Sequence, residues 1–236
     1  MYKTFKMIKN IASETSKELH IKQLIREGEH QQLDFKFEIS DSKKIARTLA
    51  AFSNTDGGKL LIGVKDNGAI AGVRSEEEYY MLDAAANMYC KPPMDLSYQK
   101  HEISGKSILE VTIPKREDHL TSAPDKTGKY MVYIRVKDQN LLANTVLLRA
   151  WQQRHEKSGV FLKFTDNEKL LLEYLAEHER VTFSRFRRMA RVSRKQAENI
   201  LVKLVSLEIL KIEFTEKLTF YKLSDNLPET PDWIEK

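Results

Sequence analysis

The stretch AAFSNTDGGKLLIGVKDNGAIAGV, at residues 50–73, decides the fold of the first part of this chain. Apolar residues recur at a helical period over residues 43–52, so we predict a helix there, with Asp41 or Ser42 as its N-cap. A glycine pair then ends the helix, because glycine readily adopts the left-handed backbone conformations of helix ends and tight turns. Residues 60–64 form an apolar run too short for a helix, which predicts a strand buried on both faces of a sheet.

The same stretch continues into a hairpin signal. Asp66, Asn67 and Gly68 are a strong turn sequence, and residues 69–73 are predicted to be the returning strand. An amphipathic helix is predicted over residues 76–89, because its apolar positions share one face and two prolines follow it. Three further strands are predicted at residues 96–101, 107–113 and 130–136.

Two short motifs flank this stretch, LDFK at residues 33–36 and YIRV at residues 133–136. Together the three motifs resemble the signature of the Schlafen AlbA-type domain. In that family, a helix ending in an alanine, phenylalanine and asparagine run meets a glycine pair, a hydrophobic strand and an acidic hairpin. The resemblance covers roughly residues 21–151, and it implies an α+β fold in which helices pack on a mixed sheet.

The resemblance also implies a candidate catalytic site. In Schlafen proteins with nuclease activity, three acids at the positions of Glu29, Asp34 and Asp66 form the cleavage site. Carboxylate oxygens suit hard divalent cations, so Mg²⁺ or Mn²⁺ held by these three residues could polarise a phosphodiester and activate water. Lys36 follows Asp34 by two positions on the same face of its strand, where it could hold the scissile phosphate.

Two departures from the family pattern favour a protein that is not an enzyme. Asp34 stands where glutamate is usual, and its shorter side chain moves the ligand oxygen by about one bond length. Lys65 stands where an acid often precedes the position of Asp66, which lowers the negative charge available to a cation. No cofactor is certain from the sequence, and Mg²⁺ or Mn²⁺ belongs to the alternative reading, a metal-dependent endoribonuclease.

The composition predicts a chain with a substantial core and no membrane partner. The 236 residues are 41% hydrophobic, and no apolar run approaches the ~20 residues of a membrane-spanning helix. The single cysteine, Cys90, cannot form an internal disulfide, and the N-terminus lacks the long apolar core of a signal peptide. We therefore predict a cytoplasmic protein. The formal net charge of +5 permits a nucleic-acid partner without requiring one.

The C-terminal part of the sequence predicts a separate, mainly helical unit. A capping sequence at Thr165 opens the first of three helices, and Ser193 can cap the third, which carries apolar residues at core spacing. The predicted elements are helices at about residues 166–178, 182–190 and 193–207, followed by strands at 209–214 and 218–223. This order resembles a winged helix-turn-helix domain.

Basic residues concentrate where such a domain would contact a nucleic acid. Residues 180–197 contain seven basic side chains and no acidic one, although residues 156–236 carry 15 basic and 14 acidic side chains. In a recognition helix that begins at Ser193, polar side chains away from the apolar stripe could read bases or hold phosphates. The alternative is a solvated charged face on a domain used for protein contacts. The predicted nucleic-acid-binding residues are Arg185, Arg187, Arg188, Arg191, Arg194, Lys195, Gln196, Asn199 and Lys203.

These observations predict a two-domain protein that binds nucleic acid, DNA more readily than RNA, as a transcriptional regulator. We predict a homodimer, since winged-helix proteins often pair to read two half-sites. The endoribonuclease and a non-catalytic dimerisation or interaction module are the alternatives. The predicted segments are an N-terminal helical segment (1–20), the Schlafen AlbA-type domain (21–155), a linker (156–164), the winged helix-turn-helix domain (165–225) and a tail (226–236).

Overall fold

The computed structural model describes residues 16–155 and 164–225, and the chain forms two compact units, Met1–Leu142 and Ala143–Lys236. The division lies ahead of the linker expected at 156–164. Residues 156–163 of that linker, the whole of the expected tail and the first part of the expected N-terminal segment lie outside the described residues.

Within residues 16–142, the first unit contains two sheets and three helical elements. Its elements, in chain order, are α1 (described over residues 16–27), β1 (Leu33–Lys36), α2 (Ser42–Ser53), β2 (Gly58–Ile62), α3 (Glu77–Ala84) with its π-helical continuation (Ala85–Tyr89), β3 (Ser97–Ile103), β4 (Lys106–Ile113), β5 (Ser122–Pro124), β6 (Tyr130–Val136) and β7 (Gln139–Leu142).

The larger sheet of the first unit is mixed, with strand order β1-β2-β4-β3. Strands β1 and β2 run parallel, and the register places Asp34 opposite Leu60. The other two pairings are antiparallel. A second, antiparallel sheet has the order β5-β6-β7. The α+β architecture expected for this part of the chain is confirmed, although β5 and β7 were not predicted.

Strand β2 lies at the centre of the first unit and is buried on both faces, as predicted. Leu60 and Ile62 belong to one hydrophobic cluster, together with helix α2. Leu61 points the other way, into a second cluster that includes Phe35 and Ile21. Leu60, Leu61 and Ile62 are all inaccessible to solvent, because side chains alternate between the two faces of a strand and both faces are covered here. The strand ends at Ile62, two residues before the predicted end.

Helix α2 and the turn after it follow the prediction closely. The Asp41 carboxylate accepts hydrogen bonds from the backbone N–H groups of Lys43 and Lys44, at 2.8 and 3.1 Å, and so caps the helix. After the helix, Gly57 has φ +66°, and its N–H donates to the carbonyl of Phe52 at 2.8 Å. A side chain is not tolerated there without strain, because a Cβ on Gly57 would lie 2.8 Å from the backbone nitrogen of Lys115.

The predicted return strand at residues 69–73 does not form, and this expectation was wrong. A turn does occur, with the N–H of Lys65 donating to the carbonyl of Ala69 at 3.0 Å. Beyond it, a single bridge joins Val64 to Ile70. The N–H groups of the next two residues, Ala71 and Gly72, both donate to the carbonyl of Gly63, at 2.8 and 2.9 Å. Two donors converging on one carbonyl cannot continue the alternating ladder of an antiparallel pair.

The second unit packs helices against a small antiparallel sheet of order β8-β10-β9. Within the described ranges of the chain, no helix of either unit combines the length and apolar character needed to cross a membrane. The elements of the second unit are α4 (Thr145–His155), α5 (Asp166–Glu177), β8 (Val181–Thr182), α6 (Phe183–Met189), α7 (Arg194–Ser206), β9 (Leu210–Phe214) and β10 (Thr219–Leu223).

Helix α4 contributes to the core of the second unit. Its residues Val146 and Ala150 are buried in the same hydrophobic cluster as Phe186, Leu201 and Tyr221. The sequence placed this helix at the end of the first domain, because its apolar spacing predicts a packed helix without identifying the core that it packs into. Helices α5 to α7 and strands β9 and β10 lie close to their predicted positions.

Candidate functional site

Strand β1 brings Asp34 and Lys36 to one face of the sheet edge. Asp34 is only 3% exposed, and each of its carboxylate oxygens faces a cation. The Nη2 atom of Arg135 donates to Oδ1 at 3.1 Å, and Nζ of Lys36 lies 2.7 Å from Oδ2. A buried carboxylate needs such partners, because isolating its charge in the interior is very unfavourable.

Arg135 is the residue that sequence reasoning missed at this site. It lies in strand β6, is 2% exposed, and is held by a second hydrogen bond from Nη1 to Oδ1 of Asn140 at 3.1 Å. Its guanidinium also lies 4.8 Å from the ring centroid of Phe52. The signal was present in the strand sequence YMVYIRV, where a single charged residue among apolar ones indicates a buried ion pair.

Glu29 precedes strand β1 and joins the same cluster. Its Oε1 accepts the backbone N–H of Phe35 at 2.9 Å, and Nζ of Lys36 lies 3.9 Å from that oxygen. Partial burial raises the pKa of the Glu29 carboxyl above its ordinary value; the hydrogen bond from Phe35 opposes this change, while the hydrogen bond and negative charge of Asp34 add to it. Glu29 therefore holds a proton more readily than an exposed glutamate does.

Asp66, the third predicted metal ligand, is exposed in the turn after β2. Among residues 16–155 and 164–225, no group of three or more histidine, cysteine, aspartate or glutamate side chains is arranged to hold a metal ion. Asp34 is moreover committed to Arg135 and Lys36, whose positive charges oppose a cation at the same oxygens. The residues present do not fit the expected Mg²⁺ or Mn²⁺ site of Glu29, Asp34 and Asp66.

A second candidate site lies on helices α6 and α7 of the second unit and on the turn between them. Five basic side chains there are exposed and form no hydrogen bond or ion pair with any part of the chain that the structure describes. We call them the free basic cluster. Arg185, the neighbouring predicted residue, is exposed as well, and its guanidinium lies 5.9 Å from the ring centroid of Tyr174. The free basic cluster consists of Arg187, Arg188, Arg191, Arg194 and Lys195.

Six other cations of the second unit contrast with this cluster, because each is paired with a carboxylate of the same unit. These pairs are Arg149 with Glu198, Arg154 with Glu208, Arg180 with Glu213, Lys203 with Glu168, Lys211 with Asp225 and Lys222 with Glu213. Positive charge without an internal counter-charge therefore concentrates along residues 187–195.

Three predicted nucleic-acid contacts are instead used within the protein. The Oε1 atom of Gln196 accepts the N–H of Ser193 at 2.9 Å, as part of the capping box of α7. Oδ1 of Asn199 accepts a hydrogen bond from Nη2 of Arg149 at 3.0 Å. The ammonium of Lys203 lies 3.0 Å from Oε1 of Glu168, whose side chain is buried.

One comparison with known proteins supports the family resemblance of the first unit. A protein-family model described as Schlafen, AlbA_2 matches residues 29–144, which is just under half of the chain. The match ends beside the last residue of the first unit, Leu142. It confirms the family resemblance of that unit and does not extend to helices α5 to α7.

Two solved structures are similar to parts of the chain. The first is the DIP2311 protein from Corynebacterium diphtheriae, with 16% sequence identity and a TM-score of 0.43; the match covers 63% of this chain and 34% of that one. The present chain thus spans about a third of its length. The second is the N-terminal domain of a RecG-related protein from Nitrosomonas europaea, with 22% identity and a TM-score of 0.36, covering 53% of this chain and 95% of that one. No curated protein matches the chain.

Proposed function

We propose that this protein binds nucleic acid through its second unit and acts as a DNA-binding transcriptional regulator. The observation that carries the proposal is the free basic cluster. Cations held in ion pairs gain less from a phosphate than free cations do, because the carboxylate must first be displaced or must share the cation. The five cations of the cluster keep their full charge, and each phosphate that they neutralise releases counterions from the nucleic acid.

The order of elements supports a winged helix-turn-helix interpretation of the second unit. Helices α5, α6 and α7 are followed directly by the hairpin of β9 and β10, which would form the wing. In this interpretation α7 is the recognition helix. Its first turn carries the exposed residues Arg194 and Lys195. In related motifs, this N-terminal end of the recognition helix faces base edges and phosphates.

Duplex DNA is the preferred partner in this proposal. The major groove of B-form DNA is wide enough to admit an α-helix, whereas the major groove of A-form RNA is deep and narrow. A helix with cations at its N-terminal turn therefore suits DNA better than double-stranded RNA. Asn199 and Lys203 of α7 are used in contacts within the protein. The free basic cluster would therefore bind mainly phosphates, and phosphate contacts position a protein on DNA without reading the base sequence.

We further propose that a homodimer binds the DNA and that the protein acts in the cytoplasm. Two copies would place two recognition helices on half-sites one helical turn apart. Cys90, the single cysteine, is buried and is compatible with a reducing compartment. Light scattering of the DNA complex would measure the stoichiometry, and a single copy on each DNA molecule would contradict the dimer.

The test of the proposed function compares two exposed lysines, one inside the free basic cluster and one outside it. Lys195 belongs to the free basic cluster, while Lys169 is an exposed lysine on α5 that forms no ion pair with the described residues. Binding of the full chain to a fluorescent DNA duplex is measured by anisotropy over a range of salt concentrations. Lys195→Ala should weaken binding and reduce the slope of log K against log salt by about 0.9, and Lys169→Ala should change neither. Equal behaviour of the two variants would overturn the proposal.

A further inference from the structure

A cavity on the first unit is lined by three tyrosines. It has a volume of about 710 Å³ and lies between the start of helix α3 and strands β3 and β4. Protein cavities of roughly 300–1,000 Å³ accommodate small organic ligands, usually through aromatic walls and a few polar groups. The lining includes Tyr79, Tyr80 and Tyr98 together with two cations, Arg74 and Lys100.

The tyrosines are available to a ligand. Tyr80 is 68% exposed, so one aromatic ring projects into solvent at the mouth of the cavity. The rings of Tyr79 and Tyr98 are in contact, with centroids 4.7 Å apart. Within residues 16–155 and 164–225, none of the three phenol hydroxyls has a hydrogen-bond partner. The cavity therefore offers aromatic faces for stacking and hydroxyls that can donate or accept hydrogen bonds.

The two cations provide an anion contact beside these rings. Nη1 of Arg74 lies 3.0 Å from Oε2 of Glu38, and Nζ of Lys100 lies 3.2 Å from Oε1 of Glu102. Both pairs are largely exposed, and exposed ion pairs are held only weakly. A phosphate can therefore displace either carboxylate, or it can bind the cation together with that carboxylate. Among the residues that line the cavity, two are cations and one, Glu76, is acidic, while the carboxylates of Glu38 and Glu102 stand beside the cations as their exposed ion-pair partners.

We propose that this cavity binds a nucleotide. The base stacks on the ring of Tyr80, its polar edge meets the free tyrosine hydroxyls, and its phosphate contacts Arg74 and Lys100. Aromatic rings beside cations are the combination that binds bases and phosphates together, since every base has a π-face. The nucleotide is either a free molecule or one unit of a single strand, because both sources present the same base and phosphate. The site lies in the first unit and does not depend on the free basic cluster.

The experiment is calorimetric titration of the full chain with AMP and, separately, with a short oligothymidylate. We expect at least one of the two probes to bind, and the one that binds identifies the source. Tyr80→Ala should weaken that binding about tenfold or more, because a stacked base is lost. Met88→Ala is the matched control. Met88 is 66% exposed on the π-helical continuation of α3, outside the cavity, and its replacement should leave the affinity unchanged.

Two further variants separate this site from the proposed DNA-binding surface. Tyr80→Phe should retain most of the affinity, because the ring remains, whereas Lys100→Ala should weaken binding of a phosphorylated probe more than binding of adenosine. Lys195→Ala should leave AMP binding unchanged, so loss of duplex binding and loss of nucleotide binding can be told apart. Failure of both probes to bind, or equal affinities of Tyr80→Ala and Met88→Ala, would overturn the proposal.

Discussion

The buried carboxylate of Asp34 lies between the side chains of Arg135 and Lys36. These two cations determine which ligands the carboxylate can bind. The Nη2 atom of Arg135 lies 3.1 Å from one oxygen of Asp34 and Nζ of Lys36 lies 2.7 Å from the other, so their positive charges oppose a divalent cation at the same carboxylate. The cluster instead connects strand β1 to strand β6, which belong to different sheets of the first unit. The Asp34–Arg135 ion pair is thus a contact between the two sheets.

Removing the arginine of this cluster should be strongly destabilising. We expect Arg135→Met to lower the free energy of unfolding by about 3–5 kcal/mol, because the buried charge of Asp34 loses its main partner. The change in the free energy of unfolding is measured by chemical denaturation of the full chain, followed through a spectroscopic signal from the first unit. The matched control is Arg74→Met, which breaks an arginine–carboxylate pair of similar length, 3.0 Å, at an exposed position. That variant should cost less than about 1 kcal/mol, and equal costs would contradict the prediction.

Glu29 should make the first unit less stable as the pH rises. Its pKa is raised above the ordinary value of 4.5, chiefly by burial, so the folded state holds the proton to a higher pH than the unfolded chain does. Stability is then lost as the pH increases through the interval that begins near 4.5 and ends at the raised pKa. We expect Glu29→Gln to be more stable than the parent protein at neutral pH, with the difference vanishing below pH ~4.

Denaturation midpoints of both proteins across this pH range test the expectation. The glutamine keeps an oxygen for the N–H of Phe35, so the variant changes the charge while retaining the hydrogen bond. A difference in stability that is independent of pH would show that the ionisation of Glu29 has no part in it.

For single residues, the sequence shows which side chains belong to a site better than it shows which side chains they contact. Glu29, Asp34, Lys36 and Asp66 were predicted to form one site. The structure brings the first three together, whereas Asp66 is exposed in the turn after β2. Asn199 and Lys203 were predicted to contact nucleic acid because they lie away from the apolar stripe of their helix. In the structure they contact Arg149 and Glu168 instead. Those partners are on other helices, and helical periodicity gives the face of a residue without giving the element that covers it.

The turn between helix α2 and strand β2 packs closely against the end of strand β4. Gly57 there has φ +66°, and a Cβ would lie 2.8 Å from the backbone nitrogen of Lys115 and 2.9 Å from the carbonyl oxygen of Ile113, the last residue of β4. Gly28, in the turn after α1, has a similar φ of +72° with open space around the added atom. The two glycines thus share a backbone conformation and differ in their surroundings.

We expect Gly28→Ala to cost about 1–2 kcal/mol, which is the cost of a left-handed conformation for a residue with a side chain. Gly57→Ala should cost clearly more, because the backbone atoms beside it cannot move aside without shifting β4. Thermal unfolding of both variants measures the difference. Equal melting temperatures would mean that the close approach at Gly57 is relieved at no cost.

Local chemistry explains which elements the sequence could predict. Helix α2 has a capping aspartate, an apolar stripe and a glycine turn, all within one segment, and β2 is a short apolar run between turn residues. Strands β5 and β7, with sequences SAP and QNLL, have no alternating pattern, and they become strands only by pairing with β6 on either side. Their prediction would require knowledge of the neighbouring strand.

At the scale of the whole molecule, helix α4 determines where the second unit begins. Val146 and Ala150 are buried in its core, and Arg154 donates from Nη2 to the carbonyl of Val205 at 2.8 Å. The sequence could locate this helix but could not assign it to a unit, because its apolar residues would suit either core. Tertiary contacts distant in sequence decide the assignment.

A pair of fragments tests this boundary. A fragment of residues 143–236 should fold cooperatively, because it contains the complete hydrophobic cluster of the second unit. A fragment of residues 156–236 lacks α4, leaves part of that cluster open to water, and should melt at a lower temperature or fail to show a cooperative transition. Circular dichroism melts compare the two, and indistinguishable transitions would argue that α4 is dispensable.

Strand β2 separates two hydrophobic clusters and contributes to both. Leu60 and Ile62 belong to one cluster, and Leu61 belongs to the other, while each long edge of the strand is hydrogen-bonded to a neighbour. Opening this strand would expose both clusters to water at once. Unfolding of one cluster alone therefore leaves the backbone amides of the strand protected from exchange. Those amides should exchange with deuterium last in the first unit, at a rate that reports its global unfolding.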